Sequence, residues 1–166
     1  METLWQKESK KKYLDPKNLA SWAEAKRSCG KTIATLNGSF DIMHAGHLQI
    51  VYEASLQADL LLVCLNTDRS IRSYKGSSRP IISLPYRMQM LAAIGFVDYV
   101  TWFDEDTPIA LIEMVKPDVH VNGSEYGKDC IESAAVKKSG GKIHIVSALE
   151  GMSTSKILEK IKTCER

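Results

Sequence analysis

Apolar residues along the chain fall into short blocks, set apart by polar gaps that carry most of its glycines and prolines. Five blocks, near Thr32 to Asn37, Leu60 to Asn66, Tyr99 to Phe103, Asp118 to Asn122 and Lys142 to Val146, are rich in branched side chains and read as strands. Between them small and apolar residues recur at helical spacing, as at Leu48, Val51, Ser55 and Ala58. This predicts helices near Ala45 to Gln57, Leu84 to Gly95, Pro108 to Val115, Cys130 to Ser139 and Thr154 to Lys162. Pro108 and Gly140-Gly141 mark boundaries. Ahead of these, Asp15 as N-cap, Pro16 at the first helical position and the stripe Leu19, Trp22 and Ala23 predict a packed N-terminal helix closing at Gly30.

Alternation of strand and helix implies parallel pairing. The expected fold is α/β, a Rossmann-like doubly wound sheet of five parallel strands in a single domain with an N-terminal helix. Residues 1–30 are expected to form a tail and that packed helix, and residues 31–166 the domain proper. Ligands of such sheets bind beyond the carboxyl ends of the strands, where the chain order reverses.

Composition narrows the class without naming it. With 166 residues, 44% hydrophobic and 25% charged, the chain suits one globular domain, neither disordered nor fibrous. The longest apolar stretch, Leu60 to Leu65, is too short to cross a bilayer, and the charged run Lys7 to Lys12 has no apolar signal region behind it, so a cytoplasmic location and no membrane partner are expected. Cys29, Cys64, Cys130 and Cys164 are scattered and are expected as reduced thiols. A net charge of +2 does not argue for nucleic acid. Its distribution says more: Arg69, Arg72, Lys75, Arg79 and Arg87 follow one another with no acidic residue between, a local anion-binding field after the second strand.

The chemistry concentrates in Gly38-Ser39-Phe40-Asp41-Ile42-Met43-His44-Ala45-Gly46-His47, the first strand-to-helix turn. Such a turn leaves backbone N–H groups free to face an anion. His44 and His47, three apart at a helix start, project to one side and suit a polyphosphate. Gly46 between them lets phosphates approach the backbone. Two other readings exist, a chance pair capping a core helix, and a metal site with Asp41. No Cys-x-x-Cys or further ligand accompanies the pair, so no protein-held metal is expected. Neither a Gly-x-Gly-x-x-Gly nor a Walker pattern occurs.

Farther on, Glu150-Gly151-Met152-Ser153-Thr154-Ser155-Lys156 puts three hydroxyl residues at the start of the last helix, with Ser153 as N-cap. Asn66-Thr67-Asp68 ends the second strand and suits either substrate contact or a turn in which Asp68 bonds its own backbone. His120 and His144 alternate with apolar residues inside strands and read as structural. Tyr126 and Trp102 have rings that can stack on a base, with core packing the simpler assignment for Trp102.

The decapeptide resembles the GxFDxxHxGH signature of the nucleotidyltransferase superfamily, whose members transfer a nucleoside monophosphate from a triphosphate to a phosphate-bearing acceptor. From Asp15 onward the chain is similar to the family of heptose 1-phosphate adenylyltransferases, which make ADP-heptose for bacterial surface polysaccharide. It shares the look of Lys75-Gly76-Ser77-Ser78-Arg79-Pro80, of Phe103-Asp104-Glu105-Asp106-Thr107-Pro108, and of Gly123 followed by an acidic residue and Tyr126. That family's sugar kinase is often fused to the same chain, so a stand-alone transferase is expected here. Where the family commonly reads Val-Lys-Gly-Gly-Asp-Tyr, this chain has Val121-Asn122-Gly123-Ser124-Glu125-Tyr126. The segment Glu150 to Lys156 is also similar to glycerol-3-phosphate cytidylyltransferase, whose arginine two residues before the glutamate is matched here by Ala148.

The resemblance implies His44, His47 and Lys75 as catalytic residues. It implies nucleotide contacts from Gly38, Ser39, Phe40, Gly46, Arg87, Asn122, Gly123, Ser153, Thr154 and Ser155, and acceptor contacts from Asp41, Asp68, Lys75, Arg79, Glu125 and Tyr126. Expected partners are ATP with Mg²⁺, a sugar phosphate and a second copy of the chain in a homodimer. A non-catalytic nucleotide-binding domain is the alternative from another class.

Overall fold

The run Leu60–Asn66 is apolar without alternation, as a strand buried on both faces must be, and it lies inside a five-stranded parallel sheet. The structure, a computed structural model, describes residues 2–164; Met1, Glu165 and Arg166 of the expected division lie outside the described residues. The strands are β1 (Ile33–Gly38), β2 (Leu60–Asn66), β3 (Tyr99–Phe103), β4 (Val119–Gly123) and β5 (Lys142–Val146), in the order β3-β2-β1-β4-β5. Ile33 pairs with Leu60 on one side of β1, and Thr35 with His120 on the other. The order reverses between β1 and β4, which opens a crevice at their carboxyl ends.

Among the described residues eight α-helices accompany the strands: α1 (Leu4–Ser9), α2 (Leu19–Ser28), α3 (Ala45–Ser55), α4 (Asp68–Lys75), α5 (Leu84–Ala92), α6 (Ile109–Val115), α7 (Ser133–Lys138) and α8 (Thr154–Cys164). Side chains alternate across the sheet, so each face has its own core. Ala34, Leu36, Val63 and Leu65 pack with Val51 and Ala54 of α3 and Met88 and Leu91 of α5. Ile33, Leu62 and Cys64 pack with Leu19 and Ala23 of α2, Leu111 and Ile112 of α6 and Val136 of α7. The sheet is thus covered on both faces, as the alternating pattern requires. Asp15 caps the N-terminal turn, accepting from Lys17 N at 2.9 Å, and α2 follows as expected.

Two helices were not expected. The N-terminal tail contains α1, started by a reciprocal capping box between Thr3 and Gln6. Lys12 then donates to the carbonyls of Ile94 and Val97 at 2.8 and 2.6 Å, and Tyr13 bridges to Val100, so the charged run is tied to the end of α5 and the edge of the sheet. The other, α4, occupies the first part of the basic stretch, where no helix was expected. Thr67 is its N-cap, accepting from Ser70 N at 3.1 Å, and Gly76 ends it at φ 87°. α7 is shorter than expected, because Cys130 to Glu132 precede the helix proper.

Arg87 corrects a second expectation. It is fully buried in α5, out of reach of the crevice. Its guanidinium donates to the carbonyls of Ile82 and Asn66 at 2.9 Å, to Ser39 O at 2.6 Å and to Asp68 Oδ1 at 2.6 Å. Asp68 also accepts from Leu84 N at 2.9 Å through the same oxygen, and neither residue of this pair lines the cavity described below. Arg87 instead joins the turn after β1, the end of β2 and the start of α4. Removing one partner of a buried pair strands the other. We expect Arg87→Met to lower stability by about 3 kcal/mol in urea unfolding.

Candidate functional site

The turn after β1 reaches its conformation against local preference. Phe40 and Ile42 lie in the left-handed region at φ 47° and 50°, which a branched residue such as Ile42 rarely adopts. Asp41 between them is 1% exposed and holds the turn. It accepts from Arg79 Nε at 2.7 Å and from the amides of Ile81 and Ile82 at 2.9 Å. Burial pushes its carboxyl up, but the two amides and the Arg79 guanidinium outweigh that and hold it below the usual carboxylate range. Asp41 is therefore a clamp, already saturated by protein donors, and the expected acceptor contact gives way to this structural one.

Beyond the turn the His44 and His47 rings stack, centroids 3.9 Å apart, and Phe40 lies 5.5 Å from His47. Gly46 also has a packing reason: a Cβ there would stand 3.1 Å from the His44 ring. The Nδ1 atoms of both histidines are buried without a hydrogen-bond partner. These rings line a cavity of about 560 Å³ at the β1–β4 crevice.

Three further groups meet the same cavity. Lys75, at the end of α4, and Arg79 form a cationic wall, with Lys75 Nζ donating to Ser39 Oγ at 3.0 Å. The start of α8 supplies Ser153, Thr154 and Ser155. Ser153 Oγ accepts from Lys156 N at 3.3 Å, as an N-cap should, and Thr154 Oγ1 donates to Asp41 O at 3.1 Å, fastening α8 to the turn after β1. On the β4 side lie Asn122, Gly123, Glu125 and Tyr126. Glu125 folds over Gly123 so closely that a Cβ on that glycine would fall 2.2 Å from its carboxylate oxygen. Gly38 and Phe40 complete the floor.

The structure thus brings together the expected histidines, Lys75, Arg79, the hydroxyl segment and the Asn122 to Tyr126 segment, and withdraws Arg87, Asp68 and the Asp41 carboxylate. It adds Asn37 and the stretch Ser147 to Leu149. Ala148 is singled out only by resemblance, and Ser147 and Leu149 belong to no motif, so their position just after β5 is what could have pointed to them.

A family model described as cytidylyltransferase-like matches residues 35–165, which contain every cavity group above. The chain belongs to this nucleotidyltransferase family. It is similar to the bifunctional protein HldE of Syntrophotalea carbinolica, 43% identical over 144 residues, covering 83% of this chain and 28% of that one. It is also similar to that of Geobacter metallireducens, 42% identical over 160 residues, covering 93% and 31%. The chain therefore spans about 30% of the length of these relatives. Among solved structures, the lipopolysaccharide core biosynthesis protein of Thermoplasma volcanium superposes with a TM-score of 0.59 at 26% identity, over 72% of this chain and 98% of that one. A pantoate-beta-alanine ligase from Francisella tularensis, at 16% identity and TM-score 0.54, shares the fold.

In this cytidylyltransferase-like site, burial drives the His47 pKa down to about 4, with His44 and Lys75 adding positive charge nearby and Asp41 opposing. Burial lowers His44 as well, and desolvation with the nearby Arg79 lowers Lys75. Both imidazoles are therefore neutral at pH 7 in the ligand-free protein. Among the described residues no three His, Cys, Asp or Glu side chains gather to hold a metal, and none of the helices is long and apolar enough to cross a membrane.

The depressed His47 pKa has a stability consequence. Between its usual 6.5 and about 4 the unfolded chain binds the proton and the folded chain does not, so stability present above pH 6.5 is lost as pH falls through that window. Urea unfolding at pH 7 and pH 5 should show that loss, and a smaller one in His47→Gln.

Proposed function

We propose that the protein transfers AMP from ATP to a sugar 1-phosphate, heptose 1-phosphate by family resemblance, releasing pyrophosphate and forming ADP-heptose. The observation that carries this reading is the convergence of the stacked His44–His47 pair, Lys75 and the start of α8 on one cavity. The acceptor phosphate attacks the α-phosphorus in line: a new P–O bond forms as the bond to the β-phosphate oxygen breaks, and pyrophosphate leaves with its electron pair. A phosphate monoester has a second pKa near about 6, so the acceptor is mostly ionised at neutral pH and needs no general base.

The side chains then act as positioned donors. Neutral His44 and His47 give N–H groups to the phosphoryl oxygens, and Lys75 offsets repulsion between two anionic substrates. The first turn of α8, whose leading backbone N–H groups have no carbonyl partner within the helix, holds the departing pyrophosphate. Mg²⁺ supplies charge neutralisation when bound with ATP. Asp41 is saturated by protein donors, and among the described residues the carboxylate lining the cavity is Glu125, which fits an ion carried chiefly by the phosphates.

A second reading, CTP with glycerol 3-phosphate, draws on the likeness of Glu150 to Lys156. Ala148 at the cavity wall, where that family has an arginine, weighs against it. We further propose a cytoplasmic homodimer whose 31–166 segment is the transferase domain.

Pyrophosphate release, with ATP and CTP crossed against heptose 1-phosphate and glycerol 3-phosphate, separates these readings. We expect turnover with ATP and heptose 1-phosphate, and a fall of about 10²- to 10³-fold in His47→Ala. Turnover only with CTP and glycerol 3-phosphate would move the assignment to the second reading.

A further inference from the structure

Behind the cavity, on the face of the sheet covered by α7, lies a buried carboxylate that the transfer reaction does not call for. Glu132 is 5% exposed and immediately precedes α7. Its Oε1 accepts from Asn37 Nδ2 and its Oε2 from Asn122 Nδ2, each at 3.4 Å. Asn37 and Asn122 are the penultimate residues of β1 and β4, one step beyond the paired Leu36 and Val121, and both line the cavity. Glu132 therefore straddles the crevice where the strand order reverses. Next to it along the same strands, Thr35 Oγ1 and His120 Nδ1 share a hydrogen bond of 2.7 Å, deeper in the sheet.

A buried charge is costly, and the two strands it joins are already held by their backbone ladder, so a structural brace would be served better by apolar packing. The carboxylate does something an apolar residue cannot. Its two oxygens face the NH₂ side of each amide, and carboxylate oxygens accept. That settles the orientation of two groups whose oxygen and nitrogen are otherwise interchangeable. Each amide must turn its carbonyl oxygen away from Glu132, and Asn37 Oδ1 is left buried without a partner.

We propose that Glu132 is a positioning residue that fixes the Asn37 and Asn122 amides with their oxygens as the faces left for a ligand, so that this wall selects groups that donate hydrogen bonds. Hydroxyls of the nucleotide ribose or of the acceptor sugar supply that chemistry. The assignment of such a ligand rests on the nucleotidyl-transfer reading. In Glu132→Gln the side chain keeps its shape but can donate, so either asparagine is free to flip and the selection is lost.

The test is calorimetric binding to the wild type and to Glu132→Gln of ATP against 2′-deoxy-ATP and 3′-deoxy-ATP, and of heptose 1-phosphate against inorganic phosphate. We expect the wild type to prefer the hydroxyl-bearing ligand by about tenfold in one series, which identifies whether ribose or sugar is read. In Glu132→Gln that preference should shrink to within about twofold, while affinity for the ligand lacking the hydroxyl holds. A purely structural role would weaken both ligands of a pair alike and leave their ratio unchanged, which would overturn the proposal, as would a wild type with no preference in either series. If Glu132→Gln does not fold, Asn122→Ala gives the same ratio to read. A wild type that binds neither ATP nor sugar phosphate would instead overturn the nucleotidyl-transfer reading, and this proposal with it.

Discussion

The geometry of the site depends on one buried carboxylate. Asp41 joins the turn after β1 to the 79–82 loop through Arg79, Ile81 and Ile82, while its own carbonyl receives Thr154 from the start of α8. Three segments far apart in sequence are thereby drawn to one residue. The neighbours Phe40 and Ile42 are held at positive φ, a conformation that costs on the order of 1–3 kcal/mol per residue and persists only where surrounding contacts over-determine it. The same hold sets His44 and His47 at the start of α3 opposite Lys75, so the strain and the arrangement of the site have a common origin.

The cations around the site divide into those that build it and those that face the cavity. Arg69 pairs with Asp104, Arg79 with Asp41 and Arg87 with Asp68. What the sequence presents as a broad basic field is thus largely neutralised where it stands, and Lys75 is the member aimed across the cavity at Ser39. Charge fixed in advance by local partners needs little rearrangement when a polyphosphate arrives. Burial keeps the two imidazoles neutral before that arrival, so they meet the ligand as N–H donors.

Much of this was legible in the residues, and the exceptions have physical causes. Leu60–Asn66 announced a central strand because a strand buried on both faces has no polar positions to blur it. The histidine turn and the Ser153 to Ser155 segment announced themselves because helix starts need particular side chains. α4 was missed because Ser70 and Ile71 are its buried positions, too few for an apolar stripe, although Thr67 before it and Gly76 after it are the expected caps. α1 gave no apolar stripe for a similar reason, since Ser9 is its buried position, despite the Thr3–Gln6 box. The roles of Arg87 and Asp41 were misread because sequence gives residue type without burial: a charged residue near a motif points equally to substrate and to scaffold. Glu132 gave no signal, since its meaning lies in two asparagines 95 and 10 positions away.

Urea unfolding of Asp41→Asn in the absence of ligand tests most directly whether Asp41 holds the site together. A clamp predicts a loss of about 3 kcal/mol, because Arg79 loses its buried counter-charge and the turn loses what offsets its strain. A midpoint whose stability lies within about 0.5 kcal/mol of the wild type, the range of a side chain with no structural duty, would contradict the account.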